Sequence, residues 1–299
     1  LTDYLEISDI LDYIKIENAV ADAEGMARVK AVMLTVQRII KFLKKYASEL
    51  PSLYSIVEQK DFLTALLKHL EKTIEGEGYV KSTASQELKE TRSLISGKEG
   101  LINNKFDHLL SQYGEKGWLT EDKESFRAGE RVLSVKSKFK RQIPGIIVDG
   151  SGSGQVSYIQ PASIMELRNA LFELKQQEKR EVNRLLKELT AHAREYLDEL
   201  FDYESLLGQF DAIRAKSLFA KQINGSCPGF VEGNQVELTD AYHPLLLENN
   251  KKQGKGTVPF NLLLNEENRI ILVSGPNAGG KSVFLKSVGL LVLMVQSGI

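Results

Sequence analysis

Residues 163–222 run for sixty positions with no proline and a single glycine, Gly208. Within them Ile164, Leu167, Leu171 and Leu174 recur at three- and four-residue steps. After a polar gap at Glu178 the rhythm resumes at Val182, Leu185, Leu189, Ala193, Tyr196, Leu200, Tyr203, Leu207 and Phe210. That period is helical, and sixty residues at ~1.5 Å each span about 90 Å. Ser163, with Glu166 three residues on, has the spacing of a capping box and predicts where the helix starts. So long an apolar seam needs an antiparallel partner. The helix predicted before it, starting near Ser85 and carrying Leu88, Leu94 and Ile95, is the available one, although Gly97 and Gly100 weaken its continuation.

The remaining chain falls around this pair. Residues 1–117 are expected to form a helical core and the first arm. Val29, Val32, Met33, Val36, Ile39, Ile40 and Leu43 mark one amphipathic helix, and Phe62, Leu63, Leu66, Leu67 and Leu70 another. Pro51 separates them as a helix breaker, and Gly76-Glu77-Gly78 reads as a turn. Residues 118–161 change texture. Short β-type runs at 131–135, 146–148 and 155–159 are divided by Pro144-Gly145 and by the glycine- and serine-rich stretch 149–154, which predicts a small β insertion. Residues 162–225 form the returning helix, closed by Asn224-Gly225. From 226 to 299 the pattern is short strands and loops. The expected fold is therefore mainly α, with long antiparallel arms, a small β insertion and an incomplete C-terminal α/β domain.

The last of those domains carries the most specific motif. Gly275-Pro276-Asn277-Ala278-Gly279-Gly280-Lys281-Ser282 matches the nucleotide phosphate loop G-x-x-x-x-G-K-[ST]. The apolar run 269–274 before it reads as a buried strand, and Val283, Leu285, Leu290, Leu291, Leu293 and Met294 after it read as a helix. Glycines let backbone N–H groups turn toward phosphate oxygens at a helix N-terminus, where the partial charge is positive. Lys281 is placed to reach the β- and γ-phosphates of ATP, and the Ser282 hydroxyl to ligate Mg²⁺. The competing reading is a glycine-rich turn that merely joins a strand to a helix.

Composition narrows the alternatives. The 299 residues suffice for two or more domains. Lys and Arg number 39 against 40 Asp and Glu, a net charge of −1, so nucleic-acid binding would need a local patch rather than a global field. One cysteine, Cys227, excludes an internal disulfide and any cysteine-cluster metal site. No leader and no membrane-length apolar run is seen, and a cytoplasmic protein is expected. The chain begins at Leu1 rather than Met, so its N-terminus reads as trimmed.

The run 273–282, followed by Leu285-Lys286-Ser287-Val288-Gly289-Leu290, closely resembles the MutS family of DNA-repair ATPases, in which Pro-Asn precedes the double glycine. Tyr242-His243-Pro244-Leu245-Leu246 resembles the His-Pro segment that opens the MutS ATPase domain. Residues 78–92, with Ala84-Ser85-Gln86-Glu87-Leu88, and 131–161 look like one branch, the MutS-two paralogue. Gln160 stands before Pro161 where that branch tends to have Glu. The resemblance implies a dimeric, ATP-driven DNA clamp, acting on branched DNA in suppression of recombination, with stalled ribosomes as a further partner of the branch. It also implies that the Walker B strand and the signature loop would follow residue 299, so the chain is expected to be a fragment truncated at both ends. The parent would be an ATPase, and this chain would be inactive in hydrolysis.

The resemblance also carries roles onto individual residues. Phe260 stands where relatives cover the adenine, with ordinary core packing as the other reading. The basic residues Arg127, Arg131, Lys136, Lys138, Lys140 and Arg141, offset in their own stretch only by Glu130, fall on the predicted β tip, where the clamp of MutS relatives touches the DNA backbone. Their bland reading is a solvated face. His243 reads as a turn-stabilising residue rather than a base. A different class, a coiled-coil chromosome-organising ATPase, also couples long arms to a phosphate loop. The Pro276-Asn277 pair, the His-Pro segment and the β insertion argue against it. A non-catalytic interaction module is the third reading.

Overall fold

The computed structural model describes residues 6–76, 78–276 and 279–299. Helices dominate it, joined by three small antiparallel sheets. The chain divides into two compact units, one ending at Glu204 and the other beginning at Ser205. No helix among the described residues is long and apolar enough to cross a membrane.

The first unit opens with α1 (Ser8–Lys15) and α2 (Ala23–Lys45). Asp22 caps α2 by accepting from the Gly25 N–H at 2.8 Å. The sequence stripe becomes its buried face, with Val29, Val32, Met33, Val36 and Leu43 inside. Pro51 does not merely break the chain. It occupies the first turn of a short helix, α3 (Pro51–Tyr54), where a missing N–H costs nothing. Next come α4 (Thr64–Thr73), burying Leu66, Leu67 and Leu70, and a minimal hairpin of β1 (Ile74–Glu75) and β2 (Tyr79–Val80). Gly78 has φ +148°, and a Cβ there would lie 2.9 Å from the Glu24 Cα, so the hairpin sits against the start of α2. Glu77 of the predicted turn lies outside the described residues.

Ser85 caps α5 (Gln86–Glu115) by accepting from the Leu88 N–H at 3.1 Å. The helix passes through Gly97 and Gly100 without breaking, contrary to the expectation from propensity. Its partner supplies the reason. Against α6 (Ala162–Arg194), Ser85 donates to Glu181 at 2.6 Å, Arg92 pairs with Glu178 at 2.7 Å and Lys175 with Glu99 at 2.8 Å. Positions rise along α5 as they fall along α6, which makes the pair antiparallel. Glu181 is buried, and its bonds to Arg184 first and Ser85 second hold its carboxyl below the usual range against the cost of burial.

Between the two helices lies a four-stranded antiparallel sheet in the order β3-β4-β6-β5: β3 (Leu119–Arg127), β4 (Glu130–Lys136), β5 (Gly145–Gly150) and β6 (Val156–Pro161). Its inner face packs Leu119, Leu133, Val135 and Ile159 against Phe106, Leu109 and Tyr113 of α5 and Ile164 of α6. Three strands are foreseen in the sequence; β3 is not, because Leu-Thr-Glu-Asp-Lys-Glu-Ser-Phe-Arg carries five charges in nine residues. As an edge strand it can afford them. The predicted capping box is also absent. Helix α6 begins at Ala162 with Pro161 as its cap residue and no side-chain cap, since β6 feeds directly into it and the Ala162 N–H bonds the Pro144 carbonyl at 2.9 Å.

The sixty-residue helix is interrupted once. Helix α7 (Leu197–Gln222) follows α6 after a tight turn, in which the Tyr196 N–H reaches back only three residues, to Ala193, at 3.1 Å. Here the N-terminal segment is fastened. Arg194 donates to the carbonyls of Ile14 and Ala19 at 2.6 and 2.9 Å, and Glu204 accepts from the Ile7 and Ser8 N–H groups at 2.7 and 3.0 Å. A buried carboxylate thus supplies the cap that α1 lacks locally.

In the second unit β7 (Val236–Ala241) pairs antiparallel with β8 (Phe260–Leu264), with α8 (Pro244–Lys252) between them and α9 (Lys281–Gln296) last. The strand predicted at 269–274 is not formed, and Ile270 and Leu272 are 91% and 92% exposed. A strand requires a hydrogen-bonded neighbour, and β7–β8 is the sole strand pairing among the described residues of this unit. The expected α/β sheet is therefore absent from them.

Two outcomes follow for stability. Glu204→Ala should lower the urea unfolding free energy by about 1–3 kcal/mol, because the Ile7 N–H loses a buried acceptor; equal midpoints for variant and parent would refute the cap. The second concerns His69 and His192, whose Nδ1 atoms lie 3.0 Å apart between α4 and α6. Burial first, and His192 second, push His69 below its ordinary imidazole value. The unfolded chain then takes up the proton more readily. This contribution is complete above about pH 6.5 and is lost as pH falls below it. Urea midpoints at pH 7.5 and 5.5 should differ less in His69→Gln than in the parent.

Candidate functional site

The phosphate-loop residues gather around the start of α9. Gly280 precedes the helix with φ 86° and ψ 3°, left-handed geometry that favours glycine. The Gly279 N–H donates to the Pro276 carbonyl at 3.1 Å, and a Cβ at Gly279 would lie 3.0 Å from that oxygen. Gly275 has φ +149°. Asn277 and Ala278 lie outside the described residues. Across this turn the Lys281 ammonium donates to the Gly275 carbonyl, so the lysine folds back over the loop instead of extending into solvent. Ser282 is exposed on the first turn of the helix, where N–H groups have no intrahelical acceptor. Glycine backbone, free helix N–H groups and a spanning ammonium fit a polyphosphate. The Ser282 hydroxyl is the group there suited to Mg²⁺.

Phe260, at the start of β8, is half-buried and meets Phe284 of α9 edge to face, with ring centroids 5.0 Å apart. The packing reading thus has a named partner, and the same contact brings Phe260 to the phosphate-loop helix. Phe284 escapes sequence reading; its only signal is its place three residues after Lys281, on an adjacent part of the helix face. His243 caps α8, its Nδ1 accepting from the Leu246 N–H at 3.4 Å, with Pro244 opening the helix. That is a turn-stabilising role. A separate cleft of about 270 Å³, lined by Ile223, Leu238, Pro244, Leu291 and Met294 among others, involves none of the phosphate-loop residues.

The six basic residues of the β insertion divide into two groups. Arg127 pairs with Asp149 at 2.9 Å and lies 3.8 Å over the Tyr158 ring. Arg131 pairs with both Glu124 and Asp107 at 2.8 Å and covers the Phe106 ring. These carboxylates lie outside the stretch in which only Glu130 was counted. Glu130 itself accepts from Gln160 at 2.6 Å and pairs with Arg168. The Lys136 ammonium donates to the Gly117 carbonyl at 3.0 Å, and Lys138 lies 4.9 Å over the Phe139 ring. Lys140 and Arg141 are exposed. Sequence adjacency placed all six together; the fold neutralises the two arginines and leaves the other four facing solvent.

No family model matches the chain. Curated relatives do. The chain is 33% identical over 98% of its length to the Endonuclease MutS2 of Shouchella clausii (strain KSM-K16), and 32% identical over its whole length to that of Aquifex aeolicus (strain VF5). With the Endonuclease MutS2 of Carboxydothermus hydrogenoformans it shares 36% identity over 83% of its length. It spans 37%, 38% and 31% of these three relatives. Over most of its length, then, the chain is homologous to the MutS2 branch of the MutS family.

Proposed function

We propose that this chain is the clamp-bearing and ATP-binding part of a MutS-type, ATP-dependent DNA-binding protein. The observation that carries the reading is Lys281, folded across a glycine turn at the N-terminus of α9, the helix against whose Phe284 the Phe260 ring packs. In this reading the loop N–H groups, including those at Asn277 and Ala278, hold the β- and γ-phosphates. Lys281 exchanges the Gly275 carbonyl for a phosphate oxygen, Ser282 ligates Mg²⁺, and Phe260 flanks the adenine.

The antiparallel α5–α6 pair would act as lever arms carrying the β sheet as a clamp tip. The working divisions would be 1–117, 118–161, 162–225 and 226–299. Nucleotide can bias the clamp only if ATP favours one arm arrangement over another. The homology favours DNA over other partners, with branched DNA as the substrate and a homodimer as the working assembly of the whole protein. Against a chromosome-organising coiled coil stands the four-stranded sheet inserted between the arms.

Isothermal titration of the chain with a non-hydrolysable ATP analogue and Mg²⁺ tests the nucleotide half. Lys281→Ala should weaken binding about ten- to hundredfold, the loss of one charge-assisted hydrogen bond worth about 1.5–3 kcal/mol. Ser282→Ala should reduce the Mg²⁺ dependence. Unchanged affinity in Lys281→Ala would reject the site.

A further inference from the structure

Lys116, at the end of α5, stands 4.8 Å over the ring of Trp118 and 5.8 Å over that of Tyr113. Tyr113, Trp118 and Phe139 stack in sequence, with centroids 5.5 and 5.9 Å apart, and Lys138 lies over Phe139. Phe139 belongs to a single 3-10 turn, Ser137–Phe139, which leads directly into Lys140 and Arg141. Strand β4 ends on the same ladder, since the Lys136 N–H bonds the Trp118 carbonyl at 2.9 Å. Two cations, Lys116 and Lys138, thus lie over the three stacked rings, and three more, Lys136, Lys140 and Arg141, are exposed within three residues of Phe139 in the chain. Among the described residues none of the five forms an ion pair, in contrast to Arg127 and Arg131. Glu115, adjacent to Lys116 in sequence, forms none either.

We propose that the phosphodiester backbone of nucleic acid binds here, at Lys116, Lys136, Lys138, Lys140 and Arg141 around Trp118, and not at Arg127 or Arg131. The inference rests on the reading that the β sheet grips nucleic acid, and narrows it to a surface. Two physical arguments carry it. A cation already paired with a carboxylate must give up that pair before it can neutralise a phosphate, whereas Lys116, Lys138, Lys140 and Arg141 need only shed water and counterions, and Lys136 exchanges a neutral carbonyl, that of Gly117. Ammonium groups held over ring faces also lose less freedom on binding than free lysines do. The cations project from a helix end, a strand end and a turn, and such contacts position a duplex without reading its bases.

The chain contains one tryptophan, and it lies at the centre of this surface. The test titrates the full chain with labelled duplex DNA, single-stranded DNA and duplex RNA of equal length, following label anisotropy and Trp118 emission across a salt series. Binding to the preferred form should alter Trp118 emission. The variant Lys116→Gln/Lys138→Gln/Lys140→Gln/Arg141→Gln should flatten the salt slope by about three to four on duplex DNA, at about 0.9 per phosphate contact. Arg127→Gln should leave the slope unchanged. Circular dichroism confirms that each variant is folded, and the emission change in the parent requires no mutation. Binding with an unaltered slope in the fourfold variant, or saturation without a change at Trp118, overturns this placement alone. No binding to any of the three overturns the nucleic-acid reading as well.

Discussion

The antiparallel contact between α5 and α6 is the constraint on which the first unit depends. Each helix is too long for its own propensity, and α5 carries two exposed glycines near its middle. Side-chain links at Arg92–Glu178 and Lys175–Glu99, with the buried Glu181 joined to the cap residue Ser85, set the register between them. Because Ser85 both caps α5 and donates to Glu181, the start of one helix is tied to the middle of the other. Isolated surface ion pairs contribute little. Here the apolar core beneath the sheet joins the far ends of the same two helices through Phe106, Leu109 and Ile164.

That register also positions the sheet. Its four strands occupy the gap between the end of α5 and the start of α6, and β6 runs into α6 with no intervening loop. Gly145 permits the closest approach: a Cβ there would lie 2.2 Å from the Gln160 carbonyl oxygen across the strand pair. Charge on the sheet is sorted by the same geometry. The two arginines on the strands find carboxylates on α5 and on other strands, while Lys116 and Lys138 find aromatic rings. The second unit has a different logic. Its two-stranded sheet and the α9 helix bring Phe260 to Phe284, and the glycine turn before α9 brings Lys281 back over its own loop.

Much of this was legible in the sequence because it depends on local periodicity or on steric rules. The apolar stripes of α2 and α4, the Ser85 cap, three of the four strands and the left-handed demand at Gly280 all follow from residues within a few positions of one another. The misses have the opposite origin. Strand β3 looks unlike a strand because an edge position tolerates its charges, and Ser163 does not cap α6 because β6 dictates where that helix begins. The break near Tyr196 falls where Arg194 fastens the end of α6 to backbone some 175 residues away.

The sequence by itself determined the phosphate-loop motif, the mainly helical class, the β insertion and the MutS-type resemblance, since these reside in residue identity and short spacing. Tertiary structure alone decided which charges are spent and which are free. Asp107, Glu124 and Asp149 lie outside the basic stretch, yet they neutralise Arg131 and Arg127, while Lys116 joins Lys138 through the Tyr113–Trp118–Phe139 stack. Electrostatic and ring contacts act over a few ångströms of space rather than along the chain, and only the folded sheet sets those distances.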